Sequence, residues 1–272
     1  MLRDRLITAA IAIPLLIWAV FWAPQWVFNM IVFFLTFVAL REFAAMAVEG
    51  IHHATTMLTV GGMTIAVTMG LTNTGVAISA GIVVCLCGVL IGTLATARDM
   101  EQSVETAGHI LLGCLYGGLL IPHFIWVRKI PDTGAGWVCF VIACVMAGDA
   151  GGYFGGRTFG KRKLWPAVSP KKTVEGAISA FVCTLVMGAI ANALVLKTLG
   201  PFEVLAVAGA VSVLAQLGDL LESMLKRAYD AKDSGWIFPG HGGVLDRTDS
   251  LVLPIVFVYY YAILGRGVLS HF

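Results

Sequence analysis

The chain has 272 residues, of which 58% are hydrophobic and only 12% charged, against roughly 25% charged in a soluble globular chain. This excludes an ordinary water-soluble domain and places the sequence among integral membrane proteins. The formal net charge of +2 gives no reason to expect a nucleic-acid partner, and in a membrane protein the positions of the charges say more than their sum.

A helix needs about 20 mostly apolar residues to cross the hydrocarbon core. Apolar runs, set against turn and charge punctuation, predict an all-α, polytopic helical membrane protein with about nine transmembrane helices: 6–23, 26–47, 55–71, 75–95, 108–127, 137–156, 175–197, 203–228 and 251–268. The opening Met-Leu-Arg-Asp-Arg and the run from Leu6 to Trp22 superficially resemble a signal peptide. No small-residue cleavage site follows, and Trp22, Pro24 and Trp26 close the run as an interface would, so it is read as a retained span. All six cysteines fall in apolar runs, and Cys85-Leu-Cys87 lacks zinc-site spacing, so they are read as small buried hydrophobes. Residues 1–272 form one integral-membrane domain, with 1–135 mainly scaffold and 136–272 carrying the chemistry.

Nine alternating spans with a cytoplasmic N-terminus place 14 of the 18 basic residues inside, as the positive-inside rule requires. The polar segments 157–174 and 229–250 then face the cytoplasm together. Three clusters in this half of the chain stand out from the apolar background.

The first is Gly148-Asp149-Ala150-Gly151-Gly152-Tyr153-Phe154-Gly155-Gly156-Arg157, at the end of the sixth span. An aspartate within a span is costly enough to imply a partner, a metal or water. The pairs Gly151/Gly155 and Gly152/Gly156 have the spacing for close helix packing. No GxxxxGK[ST] P-loop is present there.

The second cluster contains Ser169-Pro170-Lys171-Lys172-Thr173, which reads as an N-cap and first helical position. Two lysines beside free helix amides would attract phosphate. The alternative is an ordinary basic loop touching lipid headgroups. The third cluster sets Asp219, Glu222, Ser223 and Lys226 on one face of the eighth span. It then continues into a polar loop with Lys232, Asp233, His241, Asp246, Arg247 and Asp249. The glycines around His241, including Gly242 and Gly243, permit a sharp turn that carries Asp246 back toward Asp219. Carboxylates converging beside basic side chains suit a Mg²⁺-nucleotide, because Mg²⁺ commonly uses one or two carboxylates plus substrate phosphates. His241 is read as orienting the turn or contacting phosphate.

The run Ser223-x2-Lys226-Arg227-x4-Lys232-Asp233-Ser-Gly-x3-Pro239-Gly240-His241-Gly242-Gly243-x2-Asp246-Arg247-x-Asp249 resembles the signature of the bacterial phosphatidate cytidylyltransferases, or CDP-diacylglycerol synthases. The Ser169–Gly176 and Asp149 segments are similar to that family too. The resemblance implies transfer of CMP from CTP to phosphatidic acid at the inner, cytoplasmic membrane, with Mg²⁺ and a monovalent cation such as K⁺. It implies metal ligation at Asp219 and Asp246, and by analogy a homodimer among membrane lipids. One departure is Ala150, where the family often carries a hydroxyl residue.

On this reading Asp219, Asp246, Lys226 and Arg247 are the catalytic residues. Asp149, Lys171, Lys172, Ser223, Arg227, Lys232, Asp233, His241, Gly242, Gly243 and Asp249 bind substrate. Two rivals remain: a CTP-dependent transferase acting on another lipid acceptor, and a membrane transporter, since intramembrane aspartates also mark ion pathways. CDP-alcohol phosphotransferases are disfavoured because their aspartate-rich DGxxAR-type motif is absent.

Overall fold

The computed structural model describes residues 14–72, 74–235 and 242–265. A helical stretch α1 (residues 14–21) precedes α2 (Gln25–Ala47), α3 (His52–Leu71) and α4 (Gly75–Thr96). Helix α5 (Met100–Gly113) passes through a π-helical stretch, Cys114–Leu120, to α6 (His123–Arg128). Helix α7 (Gly134–Phe159) leads into the short strands β1 (Lys163–Trp165) and β2 (Ser169–Thr173), and then come α8 (Val174–Ala191), α9 (Pro201–Ala228) and α10 (Leu245–Tyr260).

Among the described residues, eight helical stretches are long and apolar enough to cross a membrane. They match the second to ninth expected spans, and the chain is a polytopic helical membrane protein. Of the first expected span, residues 14–21 are helical, while 6–13 lie outside the described residues. Two span boundaries and one loop differ from expectation. The fifth span begins at Met100, where Asp99 caps the helix by accepting a hydrogen bond from Gln102 N at 2.9 Å. The ninth begins at Leu245, so Asp246, Arg247 and Asp249 ride on a helix and not in a loop. Segment 157–174 holds a small antiparallel hairpin that pairs Lys163 with Thr173 and Trp165 with Ser169.

The core runs continuously from the N-terminal half, with Leu40, Phe43, Leu58 and Ile125, into the C-terminal half, with Trp137, Phe140 and Ile255, all fully buried. Lipid-facing surfaces carry apolar side chains outward, as α8 does with Ile178, Val182 and Val186. The cysteine expectation holds for Cys85, Cys114 and Cys144, whereas Cys139 and Cys183 are half-buried and Cys87 is exposed on α4, facing outward among Val83, Val84 and Leu90. An apolar side chain has a second comfortable environment in lipid, and composition alone does not separate the two.

The glycines in the second half of α7, from Gly148 to Gly156, turn toward α8. A Cβ on Gly148 would meet Thr184 Oγ1 at 2.6 Å, one on Gly151 would meet Cys183 Sγ at 2.5 Å, and one on Gly155 would collide with the Ser179 side chain. This close approach holds the two helices that wall the polar end of the bundle. Gly155→Leu should therefore wedge them apart and destabilise the protein by about 1–3 kcal/mol, the usual cost of overpacking. Gly88→Leu, at a position with nothing within 4 Å of an added Cβ, should leave the unfolding midpoint in detergent unchanged.

Candidate active site

The hairpin sets one wall of the site, and it departs from expectation. Ser169 and Pro170 lie in strand β2 and do not begin a helix. Helix α8 starts at Val174, where Thr173 is the N-cap and accepts from Gly176 N at 3.1 Å. The neighbouring Glu175 carboxylate accepts from Lys161 N at 3.0 Å and Arg162 N at 3.2 Å, tying the hairpin's first strand to the helix. The helix start is thus capped from within, and the lysines act from the strand beside it.

The hairpin, the ends of α7 and α9 and the starts of α8 and α10 enclose a cavity of about 1220 Å³. Its lining includes Asp149 and Arg157 from α7, Lys171 and Lys172 from β2, and Asp219 and Lys226 from α9. It also includes Lys232, Asp233 and Gly242 from the following segment, with Asp246, Arg247 and Asp249 from α10. The sequence-predicted residues are therefore largely brought together. Ser223 and Arg227 do not line the cavity: Ser223 donates to Asp219 Oδ1 at 3.5 Å, and Arg227 is exposed. Gly243 lies behind the wall, and His241 lies outside the described residues.

Ion pairs organise the lining. Lys172 Nζ lies 2.6 Å from Asp219 Oδ2. Lys226 Nζ sits between Glu222 Oε2, at 2.5 Å, and Asp246 Oδ1, at 2.7 Å, and Glu222 is only 1% exposed. The other Asp246 oxygen accepts from Ser234 N at 3.0 Å, Ser234 Oγ at 2.8 Å and Gly243 N at 2.9 Å. Gly242 makes this turn possible: its φ of +78° suits glycine, and a Cβ there would approach Asp246 Oδ2 to 2.6 Å. Asp246 thus joins α9, the 232–244 segment and α10, with both oxygens engaged.

Of the remaining carboxylates, Asp249 is buried and Asp149 is exposed. Asp249 Oδ1 accepts from Ser250 N at 2.6 Å and Ser250 Oγ at 3.1 Å. Asp149 is exposed toward the cavity, where it feels repulsion from Asp219 and attraction from Lys172 and Arg247. Asp219 and Asp249 also repel one another. Among the described residues no three His, Cys, Asp or Glu side chains converge as a ready-made metal site. The donor chemistry still fits a cation that takes part of its coordination from phosphate oxygens, since Asp149, Asp219 and Asp249 bring carboxylates to one cavity.

Two contributors escaped the sequence reading. Arg157, which closes the first polar cluster but was given no role there, lines the cavity. Glu42, on α2, accepts from Val244 N at 3.0 Å, Leu245 N at 2.9 Å and Ser234 Oγ at 3.5 Å. Its signal was available, as a carboxylate inside an apolar span calls for a partner.

A cytidylyltransferase family model matches residues 3–264. The chain is 41% identical over 156 residues to the phosphatidate cytidylyltransferase of Bacillus subtilis, covering 57% of this chain and 58% of that protein. Over 156 residues it is also 38% identical to the phosphatidate cytidylyltransferase of Staphylococcus saprophyticus, covering 57% of this chain and 59% of that protein. The match thus spans under two thirds of the length of these curated relatives. With the family match running through nearly every helix and across all the elements that wall the cavity, the chain belongs to the cytidylyltransferase family.

Proposed function

We propose that the chain transfers CMP from CTP to phosphatidic acid, yielding CDP-diacylglycerol and pyrophosphate, with Mg²⁺ as cofactor. The observation that carries this reading is a cavity in which six basic and five acidic side chains share one lining. A purely anionic substrate pocket would hold a clear cationic excess. A near-balance suits a triphosphate that arrives with a divalent cation. The names of the similar proteins support the lipid phosphate as acceptor.

A phosphatidate oxygen attacks the α-phosphorus of CTP, the bond to the β-phosphate bridging oxygen breaks, and pyrophosphate leaves. No covalent intermediate on the protein is required. The main demand is to bring two anions together in line and to stabilise the charge gathering on the leaving group. Lys171, Lys232, Arg157 and Arg247 present positive charge to the cavity for that purpose.

Asp219 is the principal residue proposed to hold Mg²⁺, with Asp149 and Asp249 lining the same cavity. Asp246 would have to share Oδ1 with Lys226 to serve as the second ligand. When bound, the ion would neutralise phosphate charge and polarise the phosphoryl oxygens. A monovalent cation such as K⁺ would add to the same neutralisation.

The cavity rim also includes Leu164 and Tyr153, the latter 60% exposed. Apolar rim residues support lateral entry of the phosphate headgroup while the acyl chains stay in lipid. The distribution of basic residues supports a multi-pass protein of the bacterial inner membrane, with N-terminus and cavity facing the cytoplasm.

The test is transfer of label from [α-³²P]CTP to phosphatidic acid by the full chain in detergent-lipid micelles. Label should enter the lipid fraction with Mg²⁺, stop when the cation is chelated and resume when it is restored. Binding of CTP without transfer to phosphatidic acid would overturn this acceptor in favour of another lipid, and absence of CTP binding would overturn the reaction.

A further inference from the structure

The N-terminal helices look like scaffold, yet one turn of α2 reaches the reaction centre. Glu42 is 6% exposed, and its carboxylate holds residues far away in sequence on both flanks of the 236–241 stretch. On the near flank it accepts from Ser234 Oγ, and a Cβ on Gly235 would collide with it. On the far flank it accepts from the amides of Val244 and Leu245, while a Cβ on Gly243 would come within 2.5 Å of Glu42 Oε2.

These contacts cap the start of α10, where the amides have no partner within the helix and a negative charge is favoured. The next residue on α2, Phe43, packs edge-on against Tyr229 with ring centroids 6.0 Å apart, at the end of α9. One helical turn of the N-terminal half therefore fixes the exit from α9, the 234–235 bend and the entry to α10.

We propose that Glu42 is a positioning residue for the transfer reaction: it sets Ser234 and Gly243, which in turn hold Asp246 and through it Lys226 at the cavity. This rests on the proposed cytidylyltransferase activity. The linkage is specific, since Ser234 Oγ contacts both carboxylates, lying 3.5 Å from Glu42 Oε2 and 2.8 Å from Asp246 Oδ2. A glutamine keeps the volume, but it has a single amide oxygen where Glu42 offers one oxygen to each of the Val244 and Leu245 amides, so it turns an NH₂ group toward one of them.

The full chain and its Glu42→Gln, Glu42→Asp and Glu42→Ala variants are purified in detergent. Folded fraction, kcat, KM for CTP and the Mg²⁺ concentration giving half-activation are then measured, together with hydrogen exchange at the Val244 and Leu245 amides. The expected result is a fall in kcat of about 10- to 100-fold per folded molecule in Glu42→Gln, the range typical of groups that orient a ligand from behind. The half-activating Mg²⁺ concentration should rise, the two amides should exchange faster, and Glu42→Asp should recover part of the activity.

Wild-type kcat and Mg²⁺ dependence in folded Glu42→Gln would overturn the proposal. A loss explained entirely by a smaller folded fraction, at wild-type specific activity, would overturn it too. If the unmodified chain transfers nothing to phosphatidic acid, it is the assigned reaction that fails. The exchange measurement then still decides whether Glu42 holds this segment, with unchanged protection counting against it.

Discussion

Lys226→Met is expected to destabilise the protein by about 3–5 kcal/mol, the cost of breaking a buried ion pair by removing one partner. The reason lies in Glu222 more than in Lys226. Glu222 is 1% exposed, and apart from the ion pair at 2.5 Å to Lys226 its carboxylate oxygens have no hydrogen-bond donor among the described residues. Removing the ammonium leaves a carboxylate stranded among helices. Asp246 suffers less, because its second oxygen keeps three donors from Ser234 and Gly243.

The double variant Lys226→Met/Glu222→Leu should therefore recover most of the lost stability, since removing both charges spares the desolvation cost. It should remain poorly active, because Asp246 is then freed from α9. Unfolding midpoints in detergent, measured beside transfer activity, separate the two effects. Equal destabilisation in single and double variants would show that Lys226 matters through packing and not through the buried charge.

Much of this site could be read from the sequence because its parts are local. Asp219, Ser223 and Lys226 recur at helical spacing, and glycine spacing on α7 announced a close helix contact that α8 supplies. What stayed hidden depends on tertiary pairing. Ser169-Pro170 has the chemistry of a helix start, yet pairing with the Lys163–Trp165 strand draws it into a hairpin and moves the cap to Thr173.

The start of α10 was placed late because Asp246, Arg247 and Asp249 look like loop residues. Inside the fold their partners, above all Lys226 and Ser250, make a polar first turn affordable. Glu42 was missed for a further reason: its partners lie about 200 positions along the chain, and local pattern shows that such a carboxylate needs a partner but not which one.

Asp219→Asn is expected to reduce transfer by about 10²–10³-fold, the range seen when one group that stabilises transition-state charge is removed, with little change in fold. The split follows from the two aspartates' surroundings. Asp219 is one-third exposed at the cavity wall, and its tie is the pair with Lys172, an interaction worth about 0–1 kcal/mol when water reaches it. Asp246 is tied to three segments, so Asp246→Asn should lose stability as well as activity.

A Mg²⁺ titration sharpens the contrast. If Asp219 holds the cation, Asp219→Asn should need far more Mg²⁺ for half-activation, whereas Lys172→Ala should leave the Mg²⁺ requirement near wild type while raising KM for CTP. A Lys172 variant as impaired as Asp219→Asn, with an unchanged Mg²⁺ requirement in both, would mean that their ion pair orders the wall and that the cation is held elsewhere. The carboxylates of Asp149 and Asp249, which line the same cavity, would then be the next to replace.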